Sequence, residues 1–123
     1  MSADIKIYED HRIIQRTVTG ELYTKRSLRL VQELAGAIKL NKGYHILVDL
    51  RDTMTRPETL DLMEIATACS RYRYDFKGKI AFLIPDTDER NKAAKLFRTC
   101  MEAQGFVFKQ FFDREAAIEW LIA

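Results

Sequence analysis

The chain has 123 residues, with 20 Lys and Arg against 18 Asp and Glu, 47% hydrophobic residues and 31% charged ones. That length suits one domain, which buries roughly two thirds of the surface its unfolded chain exposes and folds without staples. The apolar content excludes a disordered chain, and a net charge of only +2 argues against a dedicated nucleic-acid module.

Residues 1–4 lack the basic start and apolar run of a secretory signal. The longest apolar runs, such as residues 80–85, are far too short to span a bilayer. A cytoplasmic protein without a membrane span is expected. Cys69 and Cys100 fall inside helical apolar patterns, where free cysteine packs as a small hydrophobe. With no CxxC or Cys/His cluster, they offer neither a disulfide framework nor a zinc site.

Taken in order, Ile5 and Ile7 alternate with Lys6 and Tyr8 as in a strand. Residues 9–11 read as a turn and residues 12–19 as a second strand, so the chain opens with a hairpin that Gly20 ends. Thr24 is placed to cap a helix with its stripe at Leu28, Val31, Leu34, Ala35 and Ile38. Gly43 suits the left-handed position after that helix. Residues 44–50 hold a continuous Ile-Leu-Val run, the mark of a strand buried on both faces.

Residues 51–56 read as a polar loop, with Pro57 in the first turn of the next helix. Leu62, Ile65, Cys69, Tyr72 and Phe76 make one stripe down a long helix closed by Lys77 and Gly78. Residues 80–84 form another buried strand that Pro85 ends. Asp86 and Glu89 have capping-box spacing, and Ala93, Leu96, Phe97, Cys100 and Ala103 form the apolar face that follows. Gln104 and Gly105 stop that helix. Residues 106–112 are an aromatic strand, and Asp113 caps a last helix carrying Ala116, Ala117, Trp120 and Leu121.

The order is ββαβαβαβα in one domain, residues 1–123. Such alternation predicts an α/β fold: a mixed, mostly parallel sheet, opened by a β-hairpin and covered by helices through right-handed crossovers.

With the elements in place, the chain resembles the STAS superfamily. The nearer likeness is to its SpoIIAA-like branch of small bacterial proteins, often grouped as STAS/SEC14 domains. Three stretches carry it: Gly20-Glu21-Leu22-Tyr23-Thr24 after the hairpin, His45-Ile46-Leu47-Val48-Asp49-Leu50-Arg51, and Phe111-Phe112-Asp113 followed by Glu115-Ala116-Ala117-Ile118-Glu119-Trp120-Leu121. The resemblance implies a SpoIIAA-like βα superhelix without a single associated activity. Relatives include anti-anti-sigma factors, cytoplasmic domains of anion transporters and proteins likened to lipid-carrying Sec14 domains. Anti-anti-sigma factors have an Asp-Ser-Ser-Gly-like stretch after the matching strand, with a phosphorylated serine. This chain has Asp52-Thr53-Met54-Thr55-Arg56-Pro57-Glu58-Thr59 instead, leaving only Thr53, Thr55 or Thr59 as phosphate acceptors.

Ligands of open α/β sheets bind outside the carboxyl ends of the strands. Two segments are expected to meet there, each ahead of a helix N-terminus that favours an anion. They supply the candidate ligand-binding residues: Asp49, Arg51, Asp52, Thr53, Thr55 and Arg56 from the first, Pro85 and Asp86 from the second. Asp86, Asp88 and Glu89 repel an anion, so the second helix is favoured. The long second helix offers another surface, with Met54, Leu60, Met63, Tyr72 and Tyr74 as candidates to enclose an apolar ligand or meet a partner.

No catalytic residue, metal ligand or cofactor loop is legible. Ser27 and Ser70 lack a GxSxG setting, no Gly-rich phosphate loop is present, and His11 and His45 read as ordinary polar positions. The mixture of cations and aromatics at residues 71–79 reads as a solvated helix end. The expectation is a non-enzymatic binding or regulatory module for an anionic or lipid-like small molecule or a protein partner. The alternatives are an anti-anti-sigma-like interaction switch and an enzyme using Asp49 or Asp52. A homodimer through residues 106–112 is a further expectation, and no nucleic-acid partner is expected.

Overall fold

The computed structural model describes residues 4–123. Strands β1 (Ile5–Tyr8) and β2 (Ile13–Leu22) form the opening hairpin, and α1 (Thr24–Leu40) follows. Then come β3 (His45–Thr55), a single 3₁₀ turn (Pro57–Thr59), α2 (Leu62–Ser70), β4 (Ile80–Leu83), α3 (Asp88–Ala103), β5 (Phe108–Phe111) and α4 (Arg114–Ile122). The order of elements is the expected ββαβαβαβα. The five strands lie side by side in sequence order, β1 antiparallel to β2 and all later neighbours parallel.

That unreversed order decides where the helices go. Parallel crossovers are right-handed, so a sheet that always grows in one direction places each crossover helix on the same face. The buried residues of α1, α2 and α3 accordingly share one core with Ile14, Val18, Ile46, Val48, Ile80 and Phe108. Only α4, which follows the last strand, packs on the opposite face, where Ala117 and Leu121 meet Ile13, Leu47, Ala81 and Leu83. Because side chains alternate along a strand, the two cores interleave residue by residue in β2 and β3.

Several boundaries differ from the sequence reading. Residues 51–55 are not a loop. They continue β3, pairing with β2 from Thr19 to Leu22, while β4 pairs with β3 only from Ile46 to Asp49. Gly20 therefore lies inside β2, at a φ of 89° that few other residues accept. Along the β2–β3 pair the register shifts: Thr17 faces Asp49 but Thr19 faces Asp52, so β3 holds one extra residue. This bulge swaps the faces of everything after it.

The second helix is shorter than its stripe. Asp61 caps it, accepting from Glu64 N at 3.0 Å, and the Thr24 hydroxyl pins the preceding turn by accepting from Asp61 N and donating to Thr59 O. Thr24 thus holds the α2 entry instead of capping α1, whose cap is Tyr23. At the other end Ser70 Oγ donates to Thr67 O, a local bond that competes with helix continuation. Tyr72 and Phe76 still reach the first core, from the turn at residues 71–75 and the segment just after it. The α3 cap is Thr87, which accepts from Arg90 N, so Asp86 is left outside. On α3 the buried residues are Ala94, Phe97 and Met101, while Leu96 is exposed.

Candidate ligand-binding cavity

The bulge separates the residues that the sequence reading grouped. Asp49 stays on the α4 face, where Arg51 locks it: Arg51 Nε and Nη2 donate to its two oxygens at 3.0 and 2.9 Å, and Arg51 N donates at 3.1 Å. Burial raises the pKa of Asp49, but the hydrogen bonds from Arg51 and the charges of Arg51 and Arg114 outweigh it and hold the carboxyl below its ordinary range. A carboxylate saturated in this way is a poor proton shuttle. Asp52 is exposed.

Thr53 and Thr55 turn to the other face. Thr53 is buried, and its hydroxyl donates to Leu50 O at 2.6 Å while accepting from Arg90 Nη2 at 2.9 Å. Arg56 is exposed and pairs loosely with Glu21 at 3.7 Å. Pro85 and Asp86 follow β4, which stops at the Asp49–Leu83 pair. Thr55 lies six residues beyond that pair, roughly 20 Å along the strand. Pro85 and Asp86 therefore begin close to the level of Asp49, and the first turn of α3 that follows them reaches Thr53 through Arg90. Arg51 and Arg56 do not flank a free α2 N-terminus, since that helix starts at Leu62 under a carboxylate cap. The strand order never reverses, so the crevice that opens at such a reversal has no counterpart here.

What the fold builds instead is a cavity of about 130 Å³ between the sheet and the three helices of the first face. Its strand wall is Leu22, Ile46, Val48, Leu50, Ile80, Phe82 and Ile84, and its helix wall includes Leu30, Leu34, Ile65, Ala93, Ala94 and Phe97. Of the second-helix candidates, Leu60 lines it and Tyr72 packs on the surrounding core, whereas Met54, Met63 and Tyr74 point to solvent. Cys69 also lines the wall, but burial pushes its thiol up to about 12, so it stays protonated and inert at neutral pH. Cys69 and Cys100 are both free.

Three polar residues line this cavity, and all belong to its strand-exit end. They are Ser27 in the first turn of α1, Thr55 at the end of β3 and Arg90 in the first turn of α3. Arg90 was not among the expected residues, although the sequence holds a signal for it. It heads the stripe Ala93, Ala94, Phe97 and Met101, and a cation in a first helical turn opposes the dipole.

Among the described residues, no three His, Cys, Asp or Glu side chains converge as metal ligands. No helix there is long and apolar enough to cross a membrane.

No family model matches the sequence, and no curated protein matches it. The fold does have a counterpart among solved structures: the crystal structure, at 2.25 Å, of an uncharacterized protein of the DUF3478 family from Shewanella loihica PV-4, described as having a SpoIIAA-like fold. The two superpose with a TM-score of 0.64 over 98% of this chain and 92% of that one, at 14% sequence identity. Identity that low carries architecture alone, and the architecture agrees strand for strand with the βα superhelix expected from the sequence: this chain has the SpoIIAA-like fold.

Proposed function

We propose that this protein is a non-enzymatic binding domain whose guest is a small, predominantly apolar molecule held between the sheet and α1–α3. The carrying observation is the cavity itself. Native interiors are packed to crystal density, with few voids larger than a water molecule. A void of similar size lined by Leu, Ile and Phe stays dry and takes up benzene. Guests of that scale fit this cavity without rearrangement.

The anti-anti-sigma alternative finds less support in the geometry. The Thr53 hydroxyl is buried and doubly bonded, and Thr55 belongs to the cavity wall.

Titration of the chain, purified without refolding, with n-alcohols of increasing length is expected to raise its melting temperature. The gain should grow with length up to a cutoff, and Ala94→Leu, which fills the void, should remove the response. Alcohols that leave the melting temperature of the unsubstituted protein unchanged would overturn the reading.

A further inference from the structure

We infer that the guest is an amphipathic carboxylate, its apolar body in the cavity and its head on the guanidinium of Arg90. This rests on the cavity reading above and adds the chemistry of the head.

The cavity is polarised along the strands. Its walls at Ile46, Ile80, Cys69, Phe76 and Met101 are apolar, and every polar lining residue sits where the strands exit. Parallel crossovers bring the helix N-termini to that same end, so their positive poles face it. At α1 this pole is unopposed: Tyr23 gives no side-chain cap bond and no acidic residue stands in the first turn. On α3, Asp88 and Glu89 do oppose it, but both are exposed. Arg90 itself is only partly exposed and has no ion pair among the described residues, as is also true of Arg26, Arg29 and Arg114. Its Nη1 donates to Thr53 O and its Nη2 to Thr53 Oγ1, both at 2.9 Å.

Those two bonds fix the plane of the guanidinium while using two of its five N–H groups. The bulge in β3 is what turns Thr53 toward this face. The result is a preorganised fork at the polar end of an apolar cavity. Burial lowers Arg90's hold on its proton, with Glu89 pulling the other way, so an anion at the fork relieves a cost the free protein carries. One positive charge matches a singly charged, planar carboxylate. Ser27 and Thr55 line the same cavity and supply its other polar groups.

Three eight-carbon probes differing only in the head test this on the intact protein by calorimetric titration at pH 7: octanoate, 1-octanol and octylamine. The expected order is octanoate tightest, the alcohol about tenfold weaker, as the loss of one charge-assisted hydrogen bond implies, and the amine weakest. Arg90→Met, which keeps an apolar stem, should bring octanoate down to the level of the alcohol and leave the alcohol unchanged. Arg90→Lys should restore part of the preference.

If the unsubstituted protein takes octanoate and octanol equally, or prefers the amine, the head assignment is wrong while the cavity reading stands. That comparison does not depend on any variant folding. If none of the three binds, the cavity reading falls with it.

Discussion

The two faces of the sheet are covered in opposite ways. The first carries three helices, yet a void remains beneath them. The second carries only the nine residues of α4, yet Ile13, Leu47, Ala81, Leu83, Ala117 and Leu121 are fully buried there. Cover is therefore not packing. On the α4 side both the sheet and the helix contribute an alanine, Ala81 and Ala117, to the same cluster, and the helix can sit close. Its rim is tied down by polar contacts: Arg114 donates twice to Gln15 Oε1 and lies over the Tyr8 ring, while Lys79 Nζ donates to Trp120 O and lies over the Trp120 ring. On the other side Phe82, Phe97 and Phe108 form an aromatic cluster between α3 and the sheet. One helical turn earlier, Ala93 and Ala94 are too small to fill the gap that those rings hold open.

The sharpest way to break this contrast is to make a hole in the closed face. Leu121→Ala removes a fully buried side chain from a site with no slack, and should cost about 4 kcal/mol in urea unfolding, toward the upper end for such truncations. A smaller loss is expected at the lower rim of the same face. A Cβ on Gly78 would come 2.5 Å from Tyr44 O and 2.9 Å from His45 Nδ1, backbone and a bonded ring that cannot easily yield. Gly78→Ala should cost about 2 kcal/mol, as overpacking does. On the open face the sign reverses: Ala94→Leu adds bulk where there is room and should gain about 1 kcal/mol in the same measurement. A destabilising Ala94→Leu would mean that the void is already closed.

How much of this was legible in the sequence depends on the scale of the feature. The strands at residues 46–48 and 80–83 were readable because a continuous apolar run can only be buried on both sides, and they do lie side by side. The helical stripes were readable too, although Leu96 on the α3 pattern proved exposed. The bulge was not: no residue type announces that Val18 will face both Leu50 and Arg51. Missing it put Asp49, Arg51, Thr53 and Thr55 in one imagined cleft, when the strand sends the first two and the last two to opposite faces. The cavity was hidden for a related reason. Its emptiness belongs to the spacing of several elements, and every lining residue reads as ordinary core. Arg90 alone was out of place for a core stripe, and it marks the polar end.

The smallest expected effect is a pH dependence of the α4 side, where the half-buried His45 and the buried Asp49 both have lowered pKa values. His45 Nδ1 accepts from Lys79 N at 2.9 Å, which requires the ring nitrogen to be unprotonated. Burial lowers its pKa below the ordinary 6.5, and the charges of Lys79 and Arg12 lower it further. The unfolded chain then binds the proton more readily than the native one, so this contribution is complete above 6.5 and is lost as pH falls through the folded value. Asp49 behaves alike in a lower window: its contribution holds above the ordinary 3.8 and is lost below it, as the Arg51 lock is protonated away. Stability measured against pH should therefore fall in two steps on acidification. His45→Gln, whose amide oxygen can still accept from Lys79 N, should erase the first step and keep the second. A single step, or a His45 ring titrating above 6.5 by NMR, would show that the lower rim of the closed face is looser than this geometry requires.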